Sequence, residues 1–271
     1  MSCSIFFRFS KLYKNLDISL EEYEKLDPKS TVEFEGKKLI FQTPNLLTKW
    51  RVDTLFTKEP GTIEWLDGIK PKEILLDIGA NVGMYTIYAA LVREAAVYAL
   101  EPESQNYSLL NMNIKLNKLD HLVSAYCLGA SDKDTFDYIF MGNLNAGDGN
   151  HAVGEPLNFE LNSFHENIGF AQGCITYKLD TLVETNKLPI PDYIKIDVDG
   201  FEHKVIDGAK KMLKNKKVKS VIIELNPHLP EHLSIVEILQ NLGFNFSQEQ
   251  VDKAARKEGP FKGMSEYIFR R

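Results

Sequence analysis

The sequence predicts a doubly wound α/β fold, in which helices cover both faces of a mostly parallel sheet. Two observations support this prediction. Apolar runs of strand length alternate with helical patterns, and the run Ile74–Ile78 ends abruptly at a glycine turn that opens a helix. Such alternation buries a parallel sheet and joins its strands by right-handed crossovers. The 271 residues are ample for one domain of this kind with extensions.

The first 60 residues predict an N-terminal extension that contains a hairpin. A short helix is expected near residues 20–26 of a leader that covers residues 1–30. Thr31–Phe34 and Lys38–Gln42 then flank a short loop with a glycine, which predicts two paired strands. A helix over Glu59–Leu66 leads into the main domain, which is expected to span residues 61–271.

The main domain shows regular strand–helix alternation from residue 73 onward. The first half predicts strands at 73–77, 96–101 and 122–127, with helices at 83–95 and 104–117. The second half predicts strands at 193–197 and 220–225, each followed by a helix, at 202–213 and 231–242, and two short final strands at 244–246 and 266–269.

Residues 142–173 interrupt this rhythm with several glycines and asparagines and almost no periodicity. A loop of that length inside a compact domain is usually functional or disordered. It is therefore predicted to be an insertion that forms a substrate lid, with plain surface decoration as the open alternative.

The turn after the first main strand predicts the ligand. Its glycines allow a sharp bend and a close ligand approach at the carboxyl end of the sheet. Asn81 and Met84 stand where the dinucleotide fingerprint requires its second and third glycines, which argues against NAD and a dehydrogenase. An acidic residue before the turn instead resembles motif I of class I S-adenosylmethionine-dependent methyltransferases. The cofactor S-adenosyl-L-methionine is expected to meet Asp77, Gly79, Ala80, Asn81 and Gly83.

Glu101 ends the second main strand about twenty positions after these glycines, where nucleotide-binding units meet the ribose hydroxyls. A carboxylate suits a vicinal diol because it accepts two hydrogen bonds at once. Pro102 pre-sets the following turn, and Asn106 is expected on the same wall of the cofactor site.

The segment from Ile194 to Glu202 resembles the signature of the FkbM family of methyltransferases. Asp199 stands where the family usually has glutamate, which shortens the reach of that carboxylate by one methylene. Further motifs that resemble the family follow the same order along residues 60–225: 77–83, 99–102, 128–132, 179–182 and 208–209.

The resemblance implies a class I methyltransferase fold, Rossmann-like, with a seven-stranded sheet whose last strand is antiparallel. It also implies methyl transfer to an oxygen, typically a hydroxyl of a sugar, a glycan or a polyketide-type metabolite. In that fold Ser131 and Asp132 are expected at the cofactor, with the Asp132 carboxylate accepting from the exocyclic amine of adenine.

An alcohol becomes a good methyl acceptor only when a base removes its proton. The candidate catalytic residues follow the fourth main strand: Asp197, Asp199, Glu202 and His203. Asp197 is expected beside the cofactor as well. His203 has the most suitable ordinary pKa, although a histidine at a helix start is often only a surface residue.

Two alternatives use the same residues. Asp197, Glu224 and Asn226 could supply oxygen ligands to Mg²⁺ in a metal-assisted O-methyltransferase, but their spacing is not diagnostic and a divalent metal is not expected. A non-catalytic interaction protein that binds S-adenosylmethionine would not need the acids at 197–202.

The composition limits the classes of partner that the protein is expected to bind. The net charge of −6 argues against nucleic-acid binding. Cys3, Cys127 and Cys174 are far apart and show no metal spacing, which favours reduced thiols and a cytoplasmic location. No apolar run is long enough to span a membrane. A small-molecule or glycan acceptor is expected, and the oligomeric state stays open.

The glycine pattern yields a direct test of the cofactor. Calorimetry should detect binding of S-adenosylmethionine and little or no binding of NAD, because the turn lacks the glycine that admits a pyrophosphate. Tighter binding of NAD would contradict the assignment.

Overall fold

The computed structural model describes residues 18–149, 151–158, 160–163, 168–259 and 261–271. The predicted N-terminal hairpin is present, and it is followed by two helices of which the first was not predicted. Residues 1–17 of the predicted leader lie outside the described residues. The N-terminal elements are α1 (Leu20–Glu24), β1 (Lys29–Phe34), β2 (Lys37–Gln42), α2 (Leu46–Asp53) and α3 (Pro60–Asp67).

The rest of the described chain alternates strands and helices around one interruption. Its strands are β3 (Ile74–Ile78), β4 (Ala96–Leu100), β5 (Val123–Tyr126), β6 (Gly129–Ala130), β7 (Thr135–Met141), β8 (Ala152–Val153), β9 (Phe170–Tyr177), β10 (Tyr193–Ile196), β11 (Ser220–Leu225) and β12 (Ser265–Arg270). Its helices are α4 (Met84–Arg93), α5 (Ser104–Leu116), α6 (Leu179–Glu184), α7 (Glu202–Asp207), α8 (Lys210–Lys214), α9 (Pro230–Asn241) and α10 (Gln248–Ala254).

The central sheet has the order β12-β11-β10-β3-β4-β5. All neighbours pair in parallel except β11 and β12, which are antiparallel, as the resemblance implied. Alternate residues of one strand enter opposite cores, since Leu75 packs with helices α4 and α5 while Leu76 packs with α7 and α9. Both faces are therefore buried, and the prediction of a doubly wound sheet is confirmed.

The expected count of seven strands is wrong, because the described part of the central sheet has six. The predicted strand at 244–246 is reduced to a single bridge between Asn245 and Arg270. Ser247 then accepts a hydrogen bond from the Gln250 N–H and caps α10. The Gln250 side chain donates to the Glu266 carbonyl and accepts from the Ile268 N–H, so a side-chain amide occupies the outer edge of β12.

A second sheet of order β6-β9-β7-β8 occupies the interruption, and it pairs β7 with β9 over seven residues. The sequence predicts a loop at 142–173 and does not predict these strands. Phe136, Tyr138 and Ile175 lie on its outer face and are at least 40% exposed, so the inside–outside alternation that identifies a strand is weak here.

The predicted helix at 202–213 is divided into α7 and α8 at Gly208. A methyl group on Gly208 would lie 2.0 Å from the carbonyl oxygen of Ser131. The Gly208 carbonyl also accepts from the Asp180 N–H. This close packing of three chain segments explains the break.

Of the helices in the described ranges, not one is long and apolar enough to cross a bilayer.

The cap on the sheet edge generates a stability prediction. Gln250→Ala should reduce the free energy of unfolding by about 1–3 kcal/mol, because two hydrogen bonds to the backbone of β12 are lost. Gln248→Ala, on the exposed face of the same helix, is the matched control and should change it by less than about 0.5 kcal/mol. Equal effects of the two variants in urea denaturation would contradict the capping role.

Candidate active site

One cavity of about 600 Å³ opens at the carboxyl ends of β3, β4 and β10. At one end Glu101 lies among apolar residues. At the other end Asp197, Asp199 and Glu224 face the basic residues of the N-terminal helices and the C-terminal region. The apolar residues of the first end are Leu100, Leu128, Ala130, Ile139 and Val153, and the basic residues of the second are Arg51, Lys58 and Arg256. The cavity is within the usual size range of ligand pockets.

The turn from Gly79 to Gly83 forms the floor between the two ends, and each of its N–H groups already has an acceptor. Gly79 and Ala80 donate to the Leu100 carbonyl, at 3.0 and 3.1 Å. Asn81 donates to Glu101 Oε2 at 2.7 Å, Val82 to Asn81 Oδ1 at 2.9 Å and Gly83 to the Ala80 carbonyl at 2.9 Å. The turn therefore has no N–H group left for a pyrophosphate.

The two glycines of the turn are required by the packing of the protein itself. Gly79 has φ +77°, and a methyl group there would lie 1.8 Å from the Asp197 carbonyl oxygen. At Gly83, a methyl group would lie 2.5 Å from Leu110 Cδ1. A side chain at either position would therefore clash with the protein itself, but Gly79 still lines the cavity, and contact of these glycines with the cofactor stays a prediction.

Asp77 and Ala80 support the turn from below and do not line the cavity. Asp77 is buried, and its Oδ2 accepts from the Thr86 hydroxyl at 2.6 Å. Burial raises the pKa of Asp77, although Lys195 opposes this shift. Asp77 Oδ1 has no hydrogen-bond partner among the described residues.

Glu101 joins the turn to the next helix. One carboxylate oxygen accepts from Asn81 and the other from the Glu103 N–H, at 2.7 and 2.8 Å. Burial nevertheless raises the pKa of Glu101 to about 8. Each oxygen keeps a further lone pair, so the carboxylate can still accept from the hydroxyls of a diol.

Asn106 holds a strap over the cavity, which we define as residues 145–149. Its side chain accepts from the Gly147 N–H at 2.7 Å and donates to the Asp148 carbonyl at 3.1 Å. Asn81 donates to the same carbonyl at 2.7 Å. Asn106 and Pro102 both line the cavity, and their contact with the cofactor stays a prediction.

Asp197 lies at the end of β10 and forms an ion pair with the buried Lys195, at 2.9 Å between Oδ2 and Nζ. Burial favours the neutral acid, but Lys195 and Lys58 outweigh it and hold the pKa of Asp197 at about 2. Asp197 is therefore a fixed negative charge, and so low a pKa makes it a weak base.

Asp199 also lines the cavity, in a left-handed backbone conformation with φ +57°. That conformation is uncommon outside glycine, asparagine and aspartate, and it is often found at functional sites. Its Oδ2 accepts from the His151 N–H at 3.3 Å. Asp197 and Asp199 are thus brought together at one end of the cavity.

Glu202 and His203 point away from the cavity. Glu202 Oε1 accepts from the N–H groups of Val198 and Gly200, at 3.2 and 3.4 Å, and Oε2 lies 3.2 Å from His232 Nε2. The His203 ring stacks on Phe201, and burial lowers its pKa. The predicted cluster of four residues is therefore divided, and Glu202 supports the turn that presents Asp199.

The residues proposed as metal ligands already have partners within the protein, since Asp197 pairs with Lys195. Glu224 lines the cavity but binds Arg256, and Asn226 Oδ1 accepts from the His228 N–H at 3.0 Å. Within the described ranges, no group of three or more His, Cys, Asp or Glu residues is arranged to hold a metal ion.

Ser131 and Asp132 lie beyond the cavity wall, which extends from Leu128 to Ala130. The Ser131 hydroxyl donates to Asp132 Oδ1 at 3.2 Å. Contact between Asp132 and adenine stays a prediction.

Several cavity residues were not predicted from the sequence: Leu47, Trp50, Arg51, Lys58, His151, Arg256 and Phe261. They come from α2, the segment before α3, the strap region and the loop before β12. No motif marks them, because they lie in segments that are separate from the turn in sequence.

The residues present fit S-adenosylmethionine. An apolar region beside an acceptor for a diol suits a nucleoside, and the cavity continues across the turn to the charged end. The turn itself is closed to phosphate groups, which the cofactor lacks.

A family profile described as "Methyltransferase FkbM domain" matches residues 77–246. This range is more than half of the chain. The chain belongs to the FkbM methyltransferase family. The matched range contains the turn, Glu101 and both acids at the end of β10, and it leaves α2, Lys58 and Arg256 outside.

One curated relative is the hexuronic acid methyltransferase AglP of Haloferax volcanii, which is 25% identical over 197 residues, or 72% of this chain and 73% of the relative. Among solved structures, a precorrin-6y C5,15-methyltransferase of Geobacter metallireducens covers 85% of this chain and 93% of its own, with 17% identity and a TM-score of 0.43. The TYW2 protein of M. jannaschii, solved with AdoMet, covers 91% and 88%, with 14% identity and a TM-score of 0.46.

The raised pKa of Glu101 generates a pH prediction. The hydroxyls of a ribose donate to the ionised carboxylate, so binding favours deprotonation. The affinity for adenosine, which has no group that titrates between pH 6 and 9, should therefore rise by up to about tenfold per pH unit below pH 8 and then level off. In Glu101→Gln the affinity should be about 1.5–3 kcal/mol weaker and independent of pH. Calorimetry checks both, and an unchanged pH slope in the variant would assign the titration to another group.

Proposed function

We propose that the protein transfers the methyl group of S-adenosylmethionine to an oxygen of a sugar or glycan. The observation that carries this proposal is that one cavity joins Glu101, at its nucleoside end, to Asp197 and Asp199 at its charged end. A family member with this arrangement can hold donor and acceptor in one space and exclude water from between them.

The bound cofactor supplies an already activated methyl group, so the protein has mainly to align the acceptor and remove its proton. We assign proton removal to Asp199, which faces the cavity. Asp197 stays ionised through Lys195 and orients the reactants, and Glu202 acts as a positioning residue for the turn at 198–200.

Two features support a sugar as the acceptor. The Haloferax volcanii relative is named for its action on a hexuronic acid. The charged end of the cavity also carries the aromatic rings of Trp50, which is 45% exposed, and Phe261. An exposed ring beside hydrogen-bonding groups suits a sugar, which has both apolar C–H faces and hydroxyls.

Substitution of Asp199 tests the assignment of the base. Asp199→Asn should lower kcat by about a hundredfold or more, because the acceptor keeps its proton, while affinity for S-adenosylhomocysteine should change by less than about tenfold. Asp207→Asn, on the exposed side of α7, is the matched control and should keep full activity. Glu202→Gln should lower Tm, because the N–H groups of the turn would then donate to a neutral amide oxygen in place of a carboxylate.

Release of S-adenosylhomocysteine and the added methyl group in the product are the measurements, with uronic acids, neutral sugars, polyketide-type alcohols and RNA as separate acceptors. If Asp199→Asn keeps full turnover, Asp199 is not the base, and a loss of activity in Glu224→Gln would then move the role to Glu224, whose pKa burial raises. Methylation of RNA alone would contradict the sugar assignment. The cytoplasmic location expected from the cysteines stays a prediction.

A further inference from the structure

The turn at 79–83 has no capacity to bind an anion. Turns that open a helix commonly bind anions through free backbone N–H groups. Here each of the five N–H groups already donates within the protein, and two of them donate to one carbonyl, that of Leu100. An anionic group of a ligand that lies over this turn must therefore be met by a side chain.

Four cationic side chains surround the charged end of the cavity, and three of them are neutralised by carboxylates. Lys195 pairs with Asp197 at 2.9 Å, Lys58 pairs with Glu59 at 2.5 Å, and Arg256 binds Glu224. These three cations therefore already have carboxylate partners within the protein.

Arg51 is the fourth cation, and it differs from the others. Its Nε donates to the Gly147 carbonyl at 2.6 Å, which fixes the plane of the guanidinium against the strap. Throughout the described ranges, no carboxylate oxygen lies within 4.0 Å of its nitrogens. Its Nη2 would lie 3.6 Å from a methyl group on Gly149, beside the cavity. The terminal nitrogens are thus held in position without a carboxylate in direct contact, although Asp197 and Asp199 lie nearby.

Arg51 also borders the same two cavities as the turn. It lines the main cavity together with Gly79 and Asn81, and it lines a smaller adjoining cavity of about 40 Å³ with the same two residues and Asp197. A planar guanidinium with two free nitrogens matches the two oxygens of a carboxylate, and the fixed orientation reduces the entropy lost on binding.

We propose that Arg51 forms a carboxylate-binding site beside the turn, so that the N-terminal extension completes a site that the family range alone leaves open. The inference rests on the proposed function. The carboxylate comes either from the amino-acid end of S-adenosylmethionine or from an acidic sugar acceptor, and the two sources are separated by experiment.

The first arm measures cofactor binding by calorimetry, without turnover. S-adenosylhomocysteine carries the carboxylate, whereas 5′-methylthioadenosine has the same nucleoside and lacks the amino-acid end. Arg51→Met should weaken the binding of S-adenosylhomocysteine by about tenfold to a hundredfold, which is the range for loss of a charged hydrogen bond. The affinity for 5′-methylthioadenosine should stay unchanged. Lys49→Met is the matched control on the same helix, since Lys49 pairs with Asp53 at the surface, and it should leave both ligands unchanged.

The second arm measures glucuronate and its methyl ester, each with S-adenosylhomocysteine bound. If the carboxylate comes from the acceptor, Arg51→Met leaves the affinity for S-adenosylhomocysteine unchanged. It then weakens the binding of glucuronate by a similar factor and does not weaken the binding of the methyl ester. Arg51→Lys keeps the charge but not the planar fork, and it should be intermediate in whichever arm responds.

The outcomes show whether Arg51 forms a carboxylate site and which ligand supplies the carboxylate. A selective effect in either arm supports the carboxylate site and names its source. Equal weakening of 5′-methylthioadenosine would show a general disturbance of the strap and overturn the inference, as would no effect in either arm. If the unaltered protein binds neither S-adenosylhomocysteine nor 5′-methylthioadenosine, the proposed function fails, and the inference fails with it.

Discussion

The hydrogen bond between the Asn81 N–H and the Glu101 carboxylate is the interaction on which the rest of the site depends. Asn81 has a left-handed conformation at φ +51°, which directs its N–H toward the end of β4 and its side chain toward the strap. The other oxygen of Glu101 fixes the start of the next loop at Glu103, and Glu103 in turn caps α5. One buried carboxylate thereby sets the relative positions of turn, strand end, helix and strap.

The opposite end of the cavity is organised by charge balance. Lys195 is almost fully buried on β10, and such a cation requires a carboxylate partner, which Asp197 provides one residue beyond the strand. The carbonyl of the same Asp197 fills the space at Gly79. Pairing of the buried cation and packing of the turn therefore depend on one residue. Asp199 is left to face the cavity, because the left-handed bend at this position separates its direction from that of Glu202.

The sequence was sufficient to predict the strands of the central sheet, within about two residues, because each is a short apolar run with a turn at its end. It did not predict β7 and β9, in which about half of the residues are exposed and the alternation is weak. At the site, Glu101 and the acid pair could be predicted because strand ends meet at one edge of a parallel sheet. The sequence could not predict that Asp199 faces the cavity while Glu202 points away from it, since this difference depends on a single backbone conformation. Arg51 and Arg256 reach the cavity only through tertiary packing, so no local pattern marks them.

The position of β3 at the centre of the sheet has a consequence for the order of folding. One neighbour, β4, follows after a single helix. The other, β10, is separated from it by more than a hundred residues, as the hydrogen bond from Ile74 to Asp192 across 118 positions shows. Loop-closure entropy favours the near pairing. We therefore expect the unit from β3 to β4 to form first and the half of the sheet that carries Asp197 and Asp199 to dock later. In that order of events, the nucleoside end of the cavity is built from early contacts and its charged end from late ones.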